Sequence, residues 1–267
     1  MTQGYLFVAL GERYVRECYN LCLTIRKQND ERPMSILTGA ADVAYAESLD
    51  IFDQVIALRT EGPVWDNCTS DFERYCLYPR ITLNQYLVYD ETITTDTDML
   101  CQYSTEHVWS FCSNRTFPIT AVGMPYDPSW HWNTIADVWQ AFGKHVPHVN
   151  GGFKYIRKGE FTDSYYKFCE HAFWNYDSFG CKRWFRNSRS EEMIFALAHA
   201  EAQMMPVDFR EFPIETFDYT PQDTIPSKMQ YEGSNPFMLA GYPPFVHMPD
   251  KIEGENYQWL LKTIMEG

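Results

Sequence analysis

The residues best suited to chemistry in this 267-residue chain are Asp96 and Asp98, which flank Thr97 in the run "YDETITTDTDML". Carboxylates one residue apart at a strand end can face one hard cation. Magnesium and manganese take oxygen ligands and share them with substrate phosphates. A cation held there would neutralise a diphosphate and stabilise it as a leaving group. The spacing alone does not carry this reading. In a chain with 17 aspartates, about one Asp-x-Asp arises by chance. Two solvated acids in a turn remain the other reading.

Three further groups could act with the pair. "NGGF", residues 150–153, sets Gly151 and Gly152 beside Asn150 in a strand-like run. Such glycines mark either a bulge or a place where a ligand approaches the backbone. Glu191 and Glu192 head "SEEMIFALAHA". Ser190 as a cap and two acids at the positive helix end explain them structurally. The functional reading is an acid reaching a sugar or a reacting oxygen. "FVHMPDK" holds His247, a metal ligand or a surface residue, and Lys251, a point charge suited to a phosphate.

The elements that must position these groups follow from periodicity. "YLFVAL" (5–10) predicts a strand, and Val15, Cys18, Cys22 and Ile25 then share one helix face. "MSILT" (34–38) and "QVIAL" (54–58) predict strands on either side of a helix over 41–50. Alternating strands and amphipathic helices predict an α/β fold, a mostly parallel central sheet flanked by helices. Pro79 should break or kink any helix through "DFERYCLYPRITLNQYL". "TITT" is the next strand, so Asp96 and Asp98 fall at its carboxyl end, where open α/β sheets bind ligands. Further on, "VWSFC", "FPITAV" and "HVNGGFKYI" read as strands. "NTIADVWQAF", "FTDSYYKFCEHAFW", "SEEMIFALAHAEA" and "ENYQWLLKTIME" read as helices, and the proline-rich region 211–246 as a loop-rich wrap. No repeat or low-complexity linker divides the chain, so a single domain over 1–267 is expected.

Composition narrows the partners. Acidic residues outnumber basic ones 36 to 22, for a net charge of −14, which argues against duplex nucleic acid. The one basic, aromatic loop is "CKRWFRNSRS" (181–190), suited to phosphates, to an anionic acceptor or simply to solvent. Hydrophobic residues make up 45% of the chain and aromatic ones 16%, enough for a large core with rings to spare. The start of the chain shows neither a signal-like run nor a membrane span. Eight scattered cysteines without a Cys-x-x-Cys pair fit reduced thiols in a cytoplasmic protein.

In order, the strand followed by "ERY", the second strand with "LT", "YDETITTDTDML" and "NGGFKYI" resemble the GT-A glycosyltransferases around glycogenin and galactinol synthase (family 8-like). The resemblance covers nearly the whole chain. It implies a single GT-A domain, with a nucleotide-binding half over 1–102 and a sugar and acceptor half over 103–267. It implies that Asp96, Asp98 and His247 bind Mn2+ (or Mg2+) beneath the nucleotide diphosphate. Asn150 and Glu191 would act on the sugar, with Gly151, Gly152, Glu192 and Thr97 lining the donor site. Tyr14 would lie near the base, and Arg80 and Lys251 near the phosphates. Three departures stand out. Thr92, Thr94 and Thr95 replace larger apolar residues, His-x-x-Gly-x-x-Lys shortens to His247-x-x-x-Lys251, and Glu191 stands where Asp is usual.

The expected activity is that of a metal-dependent hexosyltransferase. It would move a sugar from a nucleotide-diphosphate donor, a UDP-sugar, to a glycan, protein or small-molecule acceptor, with retention. Self-association stays open. The alternatives are a sugar-phosphate nucleotidyltransferase, for which "ALGERYVREC" has too few glycines, and a non-catalytic binding protein on the same scaffold.

Overall fold

The computed structural model describes residues 1–125, 135–183, 187–209, 212, 214–216, 243–248 and 252–267. Strand β1 (Gln3–Val8) leads into helix α1 (Glu12–Lys27) through Gly11. Gly11 sits at φ 101°, a conformation that side-chain-bearing residues avoid. Its N–H donates to Asp42 Oδ2 at 2.9 Å, which ties this turn to the next crossover. On α1 the expected face is buried, with Val15, Cys18, Leu21, Cys22 and Ile25 turned into the core. Next come β2 (Met34–Thr38), α2 (Val43–Ser48) and β3 (Gln54–Ala57). The helix expected over 41–50 is shorter, because a 3-10 turn, Ala40–Asp42, takes its first residues.

The stretch around Pro79 is irregular, as its ring and missing N–H require. It holds α3 (Pro63–Asp66), a π-helical run Glu73–Leu77, α4 (Tyr78–Ile81) and a 3-10 turn Leu83–Tyr86. The chain then forms β4 (Glu91–Thr95), β5 (Met99–Cys101), α5 (Glu106–Ser113), β6 (Ile119–Met124) and α6 (Ile135–Phe142). It continues as β7 (His148–Arg157), α7 (Glu160–Trp174), α8 (Glu191–Glu201) and β8 (Val207–Asp208). Short strands β9 (Glu215–Thr216) and β10 (Phe245–His247) precede the final helix α9 (Glu255–Glu266). The run "VWSFC" is therefore helical, not a strand. Val108, Trp109 and Cys112 bury one helical face, and a short apolar run does not separate the two readings by itself.

Among the described residues the main sheet has seven strands in the order β3-β2-β1-β4-β7-β6-β8. Only β7 runs against the rest, pairing antiparallel with both β4 and β6. This is a single α/β domain with a mostly parallel sheet. Helices α1 and α5 cover Tyr5, Phe7, Ile93, Phe153 and Tyr155 on one face. Helices α4, α7 and α8 cover Leu6, Ala121 and Ile156 on the other. Seven of the eight cysteines are buried and pack as small apolar side chains.

The strand order reverses between β1 and β4, which opens a crevice at their carboxyl ends. All five residues of β4 are buried, its three threonines included. Thr92 and Thr94 face the layer of α7 and α8, opposite Ile156 and Lys154. A second sheet, β5-β10-β9, stands beside the crevice and is backed by α9. Among the described residues no helix is long and apolar enough to cross a membrane.

Candidate active site

Asp96, Thr97 and Asp98 are the link between the two sheets. The Asp96 N–H donates to the Gly152 carbonyl at 2.9 Å, adding one rung beyond the β4–β7 ladder. Three residues on, the chain is already in β5. Strand β10 pairs antiparallel with β5 and sets His247 opposite Met99. The Met248 N–H closes the corner on the Asp98 carbonyl at 2.9 Å. His247 Nε2 consequently lies 3.3 Å from Asp98 Oδ1. One ligand atom each from Asp96, Asp98 and His247 falls within 4.8 Å of the others, and all three residues are half-buried. Two carboxylate oxygens and an imidazole nitrogen suit a divalent cation.

Arg80, on α4, holds the pair from the other side. Its guanidinium is paired with Asp96, and Nη1 lies 3.3 Å from Glu191 Oε1. Burial would raise the Asp96 carboxyl, but Arg80, then His247 and Lys154, hold it below the ordinary aspartate range. Glu191 goes the opposite way: burial pushes it up, Arg80 pulls it down, and Glu192 adds to the rise.

The glycine pair lies in a bulge, and that bulge is part of the site. Ala121 pairs with Lys154 and Gly123 with Val149, so two steps along β6 span five along β7. The displaced backbone is caught from three directions. Glu192 Oε1 accepts the Gly151 N–H at 2.8 Å, and Asn150 Oδ1 accepts the Gly152 N–H at 2.6 Å. From below, Lys154 Nζ donates to the Gly151 carbonyl at 2.8 Å. A Cβ at Gly151 would stand 3.1 Å from Glu192 Cγ, so the carboxylate's approach depends on glycine there. Both sequence-level readings of "NGGF" therefore describe the same feature.

Glu191 and Glu192 owe their placement to a buried anchor that the sequence did not reveal. Glu73, fully buried in the π run, accepts the Arg189 N–H at 2.9 Å and an Arg189 side-chain bond at 2.9 Å. Arg183 pairs with Asp177 at 2.8 Å and lies 3.7 Å from Glu73. The arginines of the basic loop at 183 and 189 thus carry internal ion pairs. Ser190 occupies the cap position of α8 without a side-chain cap bond. The helix start is held by the Ser190 N–H donating to Tyr176 Oη at 3.1 Å.

These groups line a cleft of about 650 Å³, with Asp96, Thr97, Asp98, Arg80, Glu191 and Glu192 on its floor. Tyr14 and Tyr75, 38% and 48% exposed, stand at its walls with Phe72 and Cys76. Of the residues singled out in the sequence, Asp96, Asp98, His247, Arg80, Asn150, Gly151, Gly152, Glu191, Glu192, Thr97 and Tyr14 gather at this cleft. Lys251 lies outside the described residues. Sequence reading missed Lys154, Phe72, Tyr75 and Cys76. For Lys154 a signal existed: a lysine on the face of a buried strand where the alternation calls for an apolar residue.

No protein-family model matches the chain, and no curated protein matches it in sequence. Solved structures do match in shape. The galactosyltransferase LgtC, in complex with donor and acceptor sugar analogues, is 13% identical, with a TM-score of 0.64 over 98% of this chain and 94% of that one. Mouse xyloside xylosyltransferase 1 is 12% identical, with a TM-score of 0.57 over 93% of this chain and 98% of that one. The bifunctional glycosyltransferase WbbM is 11% identical, with a TM-score of 0.62 over 99% of this chain and 49% of that one. The fold is that of the GT-A glycosyltransferases.

Proposed function

We propose that this protein is a metal-dependent hexosyltransferase that takes a sugar from a UDP-sugar and transfers it with retention of anomeric configuration. The observation that carries this reading is the convergence of Asp96, Asp98 and His247 beside a cleft of about 650 Å³, at the carboxyl end of β4. Residues 1–102 form the nucleotide-binding half and 103–267 the sugar and acceptor half of the one domain.

Asp96, Asp98 and His247 hold the ion, Mn2+ or Mg2+. When bound, it supplies Lewis-acid stabilisation of the charge on the departing diphosphate. The charges support this fit. Asp96, Asp98, Glu191 and Glu192 gather beside Arg80 and Lys154, and these six groups, when ionised, sum to two negative charges, which one divalent cation offsets. Arg80 sets a fixed cation beside the region where phosphate charge develops, worth more in a cleft than in open water. Lys251, on the segment after His247, adds a second. Tyr14 offers its ring to the nucleobase. Thr97 lines the donor site between the two aspartates.

On the sugar side, Asn150, Gly151 and Gly152 orient the donor, with Glu191 and Glu192 beside them. Glu191 is paired with Arg80, and Glu192 accepts the Gly151 N–H. Both are engaged in holding the site, which suits positioning rather than proton abstraction. The donor, the acceptor (glycan, protein or small molecule) and a cytoplasmic setting belong to the same proposal.

Hydrolysis of a panel of sugar nucleotides with Mn2+ tests it. One UDP-sugar should be cleaved preferentially, and the double variant Asp96→Ala with Asp98→Ala should lose that activity by at least about 10²-fold. Unchanged metal-dependent hydrolysis in the double variant would show that the site lies elsewhere.

A further inference from the structure

Lys154 is a buried cation that enters the proposed reaction only through its charge balance. Its residue is 4% exposed, and its Nζ lies 4.1 Å from the centre of the Phe195 ring. It lines a void of about 10 Å³ beneath the cleft, together with Arg80, Thr94, Asp96 and Gly151. That is room for one water at most. In the sheet it stands between Thr94 of β4 and Ala121 of β6, at a position where a buried strand ordinarily carries an apolar side chain. A charge is costly to bury unless it is answered by others. Burial depresses the Lys154 ammonium to about 8, with Arg80 adding to the effect, while Asp96, Glu191 and Glu192 oppose it.

Resting on the metal-dependent reading above, we propose that Lys154 is a fixed counter-charge beneath the donor site: it weakens the hold on the divalent cation and strengthens the hold on the nucleoside diphosphate. Without it, the group formed by Asp96, Asp98, Glu191, Glu192 and Arg80 loses a positive neighbour, so the net charge of the site shifts by one unit toward negative. An extra negative charge attracts a cation and repels a diphosphate. The two affinities must then move in opposite directions. A packing defect in β7 would loosen the bulge at 150–153 and lower both.

The test is calorimetry on the full chain, titrating MnCl2 alone and then UDP at saturating Mn2+. Lys154→Met keeps the length and apolar stem of the side chain and removes its charge. Lys154→Gln also removes the charge but keeps a donor for the Gly151 carbonyl. In both variants Mn2+ should bind about five- to tenfold tighter and UDP about five- to tenfold weaker, with thermal unfolding confirming a folded protein. Unchanged affinities, or loss of both, would overturn the role of Lys154. So would native affinities in Lys154→Gln, which would assign the effect to the Gly151 tether. If the native protein binds no Mn2+, the metal reading falls and this inference falls with it. If the native protein binds Mn2+ and the variants match it, only this inference falls.

Discussion

At the scale of single residues, Arg80 joins Asp96, at the end of β4, to Glu191, at the head of α8. A planar guanidinium can meet Asp96 and Glu191 at once, as it does here, whereas an ammonium is a single point charge. Arg80→Lys therefore keeps the net charge and loses the bridge. Steady-state kinetics should show kcat/KM falling by about 10²-fold with the protein still folded. A change of less than about threefold would mean that charge alone suffices. The Asp96–Asp98 pair was legible in the sequence because a β-branched run ended just before it. The grip on it was not. Arg80 lies in a run whose helical phase is broken by Pro79 and a π segment, so no periodic pattern reveals where its side chain points.

At the scale of elements, regular periodicity translated directly into structure, and exceptions arose where local signals are ambiguous. Helix α1 and strands β1, β2 and β7 each follow their hydrophobic pattern. Helix α5 does not announce itself, because five consecutive residues rich in apolar side chains fit either element. The bulge in β7 reflects register against β6, a long-range property that the "NGGF" run only hints at. Strand β4 gives a stability test of the observed register. Thr92 is fully buried between Gly4 and Ile156, and its Oγ1 has no hydrogen-bond partner among the described residues. Removing a buried, unsatisfied hydroxyl relieves its desolvation cost. Thr92→Val should therefore stabilise the protein by about 1 kcal/mol in urea unfolding. Destabilisation by a similar amount would place that hydroxyl in a bond the observed register lacks.

At the scale of the molecule, the buried ionisable groups make stability depend on pH. His199, in the core under α7, is depressed from 6.5 to about 4, chiefly by burial, although its contact with the Phe195 carbonyl works against the shift. A histidine with a lower pKa folded than unfolded takes up its proton more readily when unfolded. Stability is therefore unaffected above about 6.5, falls as pH drops toward about 4, and levels off below that, for a loss of roughly 3 kcal/mol from this group. Denaturant unfolding between pH 7 and 4 should be flatter for His199→Gln than for the native chain. An equal slope would assign the acid sensitivity to the carboxylates. The fold as a whole was readable from alternating strands and helices, and the aspartate pair from its place at a strand's carboxyl end. The site's electrostatic frame was not, because Glu73 looks like an ordinary surface charge in a linear chain, and Lys154, although out of place on a buried strand, does not show what it meets until the strand is packed.

The central claim is that the cleft binds a nucleoside diphosphate through a metal held by Asp96, Asp98 and His247. Calorimetric titration of UDP, with and without Mn2+, on the native chain and on Asp96→Asn with Asp98→Asn, tests it most directly. The account predicts binding to the native protein that strengthens at least about tenfold with Mn2+, and no such gain in the double variant. UDP binding that is indifferent to Mn2+ in the native chain, or equally metal-dependent in the double variant, would contradict it.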